Sequence, residues 1–97
     1  MPTYVSLLRW TDQGVKNAKE SVVRAEQASN AASRAGGRIS AVYWLQGAYD
    51  AVIVSEFPDE ETAQAALLGL GMQGNVRSET LRAFSAEEMK RILAKLP

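Results

Sequence analysis

Apolar and β-forming residues fill the chain from Thr3 to Trp10 and give way to the polar run Thr11-Asp12-Gln13-Gly14, which predicts a strand ending in a turn. From Val15 to Ala35 the spacing changes to that of a helix, which Ser21 could cap or kink near its start. Val22, Ala25, Ala28, Ala32 and Ala35 recur on one side, and Arg24, Gln27 and Arg34 fall on the other. Gly36-Gly37 ends this helix, because glycine accepts the left-handed backbone just beyond a helix terminus. Two further strands, Arg38 to Leu45 and Asp50 to Phe57, flank the short Gln46-Gly47-Ala48-Tyr49 connection and read as a hairpin. Pro58-Asp59-Glu60-Glu61 opens a second helix, with Asp59 as N-cap and acids where the helix dipole favours them. Its inward stripe is Ala63, Ala66, Leu67 and Leu70, and Gly69, Gly71 and Gly74 close it. Val76 to Phe84 reads as a fourth strand. Ser85 and Glu88 then form a capping box, Phe84 and Met89 sit as a hydrophobic staple, and Met89, Ile92, Leu93 and Leu96 make the apolar stripe of a terminal helix.

The order β-α-β-β-α-β plus one helix is a ferredoxin-like α+β arrangement in one domain spanning residues 1–97. Right-handed crossovers put the first and third strands in the middle of a four-stranded antiparallel sheet, with both main helices on one face. The other face should then alternate with polar residues, and it does not. Ile39, Ala41, Tyr43 and Leu45 oppose Val42 and Trp44; Ala51, Ile53 and Phe57 oppose Val52 and Val54; Val5 and Leu7 oppose Tyr4, Leu8 and Trp10. A bare apolar face of this kind, Trp44 included, predicts a homodimer joined sheet to sheet. The competing arrangement folds the terminal helix over that face, but one short helix covers too little of it.

Eleven basic and eleven acidic residues give zero formal charge, which supplies no electrostatic ground for nucleic acid or an anionic membrane as partner. There is neither Cys nor His, so thiol catalysis, imidazole bases, structural zinc and the commonest haem ligand are excluded, and no metal or cofactor is expected. No signal peptide or apolar run of membrane-spanning length is read, and a cytoplasmic location is expected. Fifteen alanines contribute to the 46% hydrophobic content, so much of the core must form by close approach of backbones.

Trp10-Thr11, Gly14, Gly36-Gly37, Tyr43-Trp44, Gly47-Ala48-Tyr49-Asp50, Gly74-Asn75-Val76-Arg77 with Glu79-Thr80, and Ala83-Phe84 together resemble the GYD domain family, from Tyr4 to about Leu93. That family is named for the Gly-x-Tyr-Asp element, matched by Gly47, Tyr49 and Asp50. The resemblance implies a dimeric α+β barrel and leaves the activity open. Relatives of that barrel include monooxygenases, isomerases, haem proteins and ligand-sensing domains. Several use a histidine that this chain does not have.

Three groups of residues are candidates for function. Tyr49 and Asp50 could carry protons at a pocket mouth, but Gly47 supplying positive φ and Asp50 binding backbone amides is ordinary turn chemistry and weighs more. Trp10 and Trp44 could line a flat apolar pocket or serve as core and interface anchors; Tyr43 faces away from Trp44 and cannot share its cavity. On the fourth strand Arg77 and Glu79 share one face, with Arg82 on the other beside Ser78 and Thr80. Arg82 could hold an anionic group, against the heavier reading of an ion pair near a sheet edge. The leading expectation is a homodimer that binds a small apolar or aromatic molecule, optionally with one anionic group, through Trp10, Trp44, Tyr49, Asp50 and Arg82. The alternatives are a cofactor-independent oxygenase or isomerase using Tyr49 and Asp50, and a ligand-free assembly module.

Overall fold

Strands and helices alternate along residues 1–97, all of which are described in a computed structural model. Strand β1 is Thr3–Trp10 and is followed by a short helix α1 (Asp12–Lys16), a 3-10 turn (Ala18–Glu20) and α2 (Ser21–Arg34). The hairpin strands are β2 (Arg38–Trp44) and β3 (Ala51–Glu56); α3 (Glu60–Met72), β4 (Val76–Ala83) and α4 (Ala86–Leu93) complete the chain. The sheet is antiparallel throughout in the order β2-β3-β1-β4. β1 and β3 are therefore central, as the crossover rule requires.

The first helical segment differs from the Val15–Ala35 helix expected of the sequence, and α2 begins at Ser21, the position the sequence offered for a cap or kink. Thr11 and Gly14 begin a helix instead of a turn. The Thr11 hydroxyl accepts the Gly14 amide at 3.0 Å while donating to the Gly74 carbonyl at 2.5 Å. Gln13 Nε2 donates to the Gln73 carbonyl and to Asn75 Oδ1, each at 2.9 Å, and the Thr11 amide donates to the Asn75 carbonyl at 3.1 Å. This latch fixes the exit of β1 against the entry of β4. It leaves no room for a side chain at Gly14, where a Cβ would lie 1.9 Å from the Asn75 carbonyl oxygen. Val22, set on the inward stripe by the sequence pattern, points outward and is exposed.

Strand alternation sorts the sheet into two faces. Tyr4, Ser6 and Leu8 of β1 and Ala51, Ile53 and Ser55 of β3 are buried on the helix side, with Phe57 just beyond β3. Val5, Leu7, Val52 and Val54 lie half-buried on the open side, joined by Leu81 opposite Val5. Strand β2 departs from simple alternation. A bulge between Ile39 and Ala41 pairs Ile39 with Ser55 but Ala41 with Val54, and the Ser40 hydroxyl donates to the Val54 carbonyl at 3.2 Å. Ile39 therefore packs in the core, Ala41 and Tyr43 take the open face, and Trp44 joins Ala51 on the helix side. Trp44 is thus no part of the open face on which the sequence pattern sets it.

Asp59 caps α3 by accepting the Thr62 amide, and the Ser85–Glu88 capping box forms as the sequence predicts. Helix α4 makes almost no contact with the other elements and covers neither face of the sheet. Phe84, Met89, Leu93 and Leu96 remain exposed. The radius of gyration, 14.6 Å, exceeds the roughly 13 Å of a compact chain this long, which accords with a helix standing off the body.

Gly14→Ala should cost about 2–4 kcal/mol, since its Cβ meets backbone and not a flexible side chain. Gly69→Ala, in α3 where an added Cβ meets nothing within 4 Å, should raise stability by about 0.5–1 kcal/mol. Urea unfolding of the two variants checks both signs; an unchanged midpoint for Gly14→Ala would remove the latch as a stabilising contact.

Candidate functional site

Alanines on the inner sides of α2 and α3 are too short to fill the space above the sheet. The two helices touch each other only sparsely. What remains between them and the strands is a groove of about 410 Å³, walled by Ala28 and Ala32 of α2, by Ala35 just beyond it, and by Ala66 and Leu70 of α3. Its floor is Ile53, Phe57 and two serines. Ser6 Oγ lies 2.9 Å from Thr80 Oγ1, whereas Ser55 has no protein partner for its hydroxyl. The groove narrows towards β1's exit into a further recess of about 60 Å³ that shares Ala28, Ile53, Leu70 and Gln73 with it. Trp10 and Trp44 both line this narrow end, together with Val42, Val76 and Arg24.

The stripe read from the sequence sets Arg24 on the solvent side of the helix. In α2, positions 21, 24, 25 and 28 share the face that meets the sheet, and Arg24 lies half-buried along the recess. Its Nη1 donates to the Asn17 carbonyl at 2.8 Å, and no carboxylate pairs with it. The sequence pattern centres the inward face on Val22 and Ala25; packing instead turns the face through Ser21, Arg24 and Ala28 towards the sheet, and Arg24 stands one turn before Ala28 on it.

The Gly-x-Tyr-Asp loop lies at the same end of the sheet but serves its other side. Gly47 has φ of +121°, the left-handed region that favours glycine. Asp50 Oδ2 accepts the Trp10 amide at 2.9 Å, and the Asp50 amide donates to the Leu8 carbonyl at 2.8 Å, so this residue splices the hairpin onto β1. Arg9 Nε donates to the Ala48 carbonyl at 3.0 Å, and its guanidinium lies 4.4 Å from the Tyr49 ring centroid. The Tyr49 hydroxyl donates to Glu79 Oε2 at 2.5 Å across the open face. Keeping its proton for Glu79 holds the Tyr49 hydroxyl above its ordinary pKa, with Arg9 pulling the other way. Tyr49 and Asp50 thus stand outside the groove that holds Trp10 and Trp44.

Arg82 lies on the helix face opposite Tyr4, with Arg77 and Glu79 on the open side. It sits 4.6 Å from the Phe84 ring centroid and donates to the Ala83 carbonyl and, at 3.0 Å, to Glu88 Oε2. This ion pair fastens the start of α4 to β4 and keeps Arg82 apart from the groove.

A four-stranded antiparallel sheet in this order, with two helices over one face and an open groove beneath them, defines a ferredoxin-like α+β protein. The chain belongs to the GYD domain family, whose profile matches residues 4–93. It is 32% identical over 90 residues to a protein of Thermus thermophilus named glutamine synthetase and cystathionine beta-lyase binding protein, covering 92% of this chain and 95% of that one. The crystal structure of TTHA0845 from Thermus thermophilus is also similar, with a TM-score of 0.55 and 26% identity over 89% of this chain and 96% of the other.

The Ser85 amide and the Arg82 guanidinium both favour the ionised Glu88 and hold its carboxyl below the usual glutamate range. A depressed folded-state pKa gives stability that is complete above the unfolded value and lost as pH falls through the folded one. Helicity of α4 should therefore be retained above the usual glutamate range and decline as pH falls below it, and Glu88→Gln should flatten that step in far-ultraviolet circular dichroism.

Proposed function

We propose that the protein is a homodimeric binding protein that holds one small, largely apolar molecule per protomer in the groove between its helices and its sheet. The groove itself carries this reading. Its volume of about 410 Å³ lies within the roughly 300–1,000 Å³ typical of small-molecule sites, and its lining is apolar with a few hydroxyls to set orientation. Binding is favoured over acid–base catalysis by the same lining. Arg24 is the only ionisable side chain along the groove and recess, and a guanidinium does not exchange its proton at neutral pH. Native mass spectrometry of protein purified gently from its own host should reveal a retained molecule. Ala28→Phe, which fills the junction of groove and recess, should abolish retention while leaving the fold intact. Only bare wild-type protein would count against the reading.

The open face supports the dimer. It presents Val5, Leu7, Val52, Val54 and Leu81 between two polar ends, Arg38–Glu56 at one and Arg9–Tyr49–Glu79 at the other. An apolar centre with a polar rim is the anatomy of an interface core. Four strands of six to eight residues make a plate of roughly 20 by 25 Å, on the order of 500 Å². A standard contact buries about 800 Å² per partner, so the exposed stripe of α4 would contribute the remainder. Val54→Glu should convert the dimer to monomer, measured by analytical ultracentrifugation at micromolar concentration. A monomeric wild type would overturn this part of the proposal.

A second reading is docking onto a larger enzyme, as the name of the Thermus relative states for that protein. The unpacked apolar stripe of α4 favours it. Co-sedimentation with purified glutamine synthetase and cystathionine beta-lyase tests it, with Leu93→Asp expected to weaken any complex.

A further inference from the structure

We infer that the ligand of the groove is an amphiphile with an elongated apolar body and a single carboxylate, seated with the carboxylate against Arg24 and the body running under α2 and α3. The inference rests on the groove being a ligand site and adds the ligand's chemical class and direction.

The shape comes from the strand beneath it. Ala51 lies under the narrow recess and Phe57 under the far end of the wide part, with Ile53 shared between them. Six residue steps at about 3.3 Å make the path roughly 20 Å long. A compact molecule would fill one compartment, whereas an extended chain fills both. The walls of the wide part are alanine, leucine, isoleucine and phenylalanine. They contact methylene groups well and offer no charged partner.

Electrostatics set the direction. A charge taken from water into the wide part would meet only hydroxyls and one amide, which is costly without a counter-charge. The recess supplies that counter-charge in Arg24, which spends one donor on the Asn17 carbonyl and keeps the rest of its fork free of any carboxylate of the chain. Ser21, Gln73 and Asn75 line the same recess and add polar groups around an anionic head. The N terminus of α2 begins at Ser21 without a side-chain cap, so its dipole also favours negative charge there. No acidic side chain lines either compartment, which disfavours a cationic head.

The chain's two tryptophans, Trp10 and Trp44, both flank the recess, so their emission reports on its occupancy. Delipidated full-length protein would be titrated with decanoate and with decanol, each below its aggregation threshold. Decanoate should change the emission saturably and bind roughly tenfold or more tightly than decanol. Arg24→Gln should weaken decanoate by about tenfold and leave decanol within about twofold, with Arg24→Lys intermediate. Ala28→Phe should abolish binding of both, and thermal melts of each variant confirm folding. Equal binding of decanoate and decanol, unaffected by Arg24→Gln but lost in Ala28→Phe, would overturn the carboxylate and keep the groove. Binding that survives Ala28→Phe, or no binding of either probe, would overturn both.

Discussion

The structure depends on the fact that the two central strands are apolar on both faces while the chain supplies helices for only one. β1 and β3 each bond to neighbours on both edges, and their alternation sends Tyr4, Leu8, Ile53 and Phe57 one way and Val5, Leu7, Val52 and Val54 the other. The first set lies under α2 and α3, and the second has no cover within the chain. Only ten of 97 residues are buried, so the hydrophobic contribution of this chain to its own stability is small for its length. A partner seated on the open face, as in the proposed homodimer, would supply the difference and tie the protein's stability to its association.

The covered face is itself incomplete, and that incompleteness makes the groove. Leucines at the positions of Ala28, Ala32, Ala35 and Ala66 would close the space between helices and sheet into an ordinary core. Alanine leaves a cleft of ligand size while the helices are held by the Thr11–Asn75 latch, the Asp59 cap and the crossover geometry. The serines on the floor fit the same account. Ser6 is satisfied by Thr80, and Ser55 faces the groove with its hydroxyl free for a bound molecule or water.

The Gly-x-Tyr-Asp element works structurally, at the corner where the hairpin meets β1. Asp50 closes that corner through the Trp10 amide, and Tyr49 carries the loop across to Glu79 on the open face. Trp10, held from behind by Asp50, presents its ring to the recess. The loop therefore shapes the groove's narrow end and one polar end of the open face at once, although none of its side chains enters the groove.

Residue pattern alone determined the four strands, their order, the two covering helices, the Ser85 capping box and the doubly apolar sheet. Each depends on local spacing or on a crossover rule that all such chains obey. It also brought forward Trp10 and Trp44 as candidates for lining a pocket, while setting Trp44 on the open face. Three decisive features came from tertiary structure. The bulge at Ser40 moved Ile39 inward and set Trp44 on the helix side, because one extra residue reverses every side chain beyond it. The latch at Gly74-Asn75 turned Thr11 into a helix cap, since its hydroxyl found a carbonyl sixty-three residues away. The packing of α2 set Arg24, one turn before Ala28, along the recess and turned Val22 outward. Spacing gives the faces of a helix without saying which one meets the sheet, and no local signal marks a contact made across the fold.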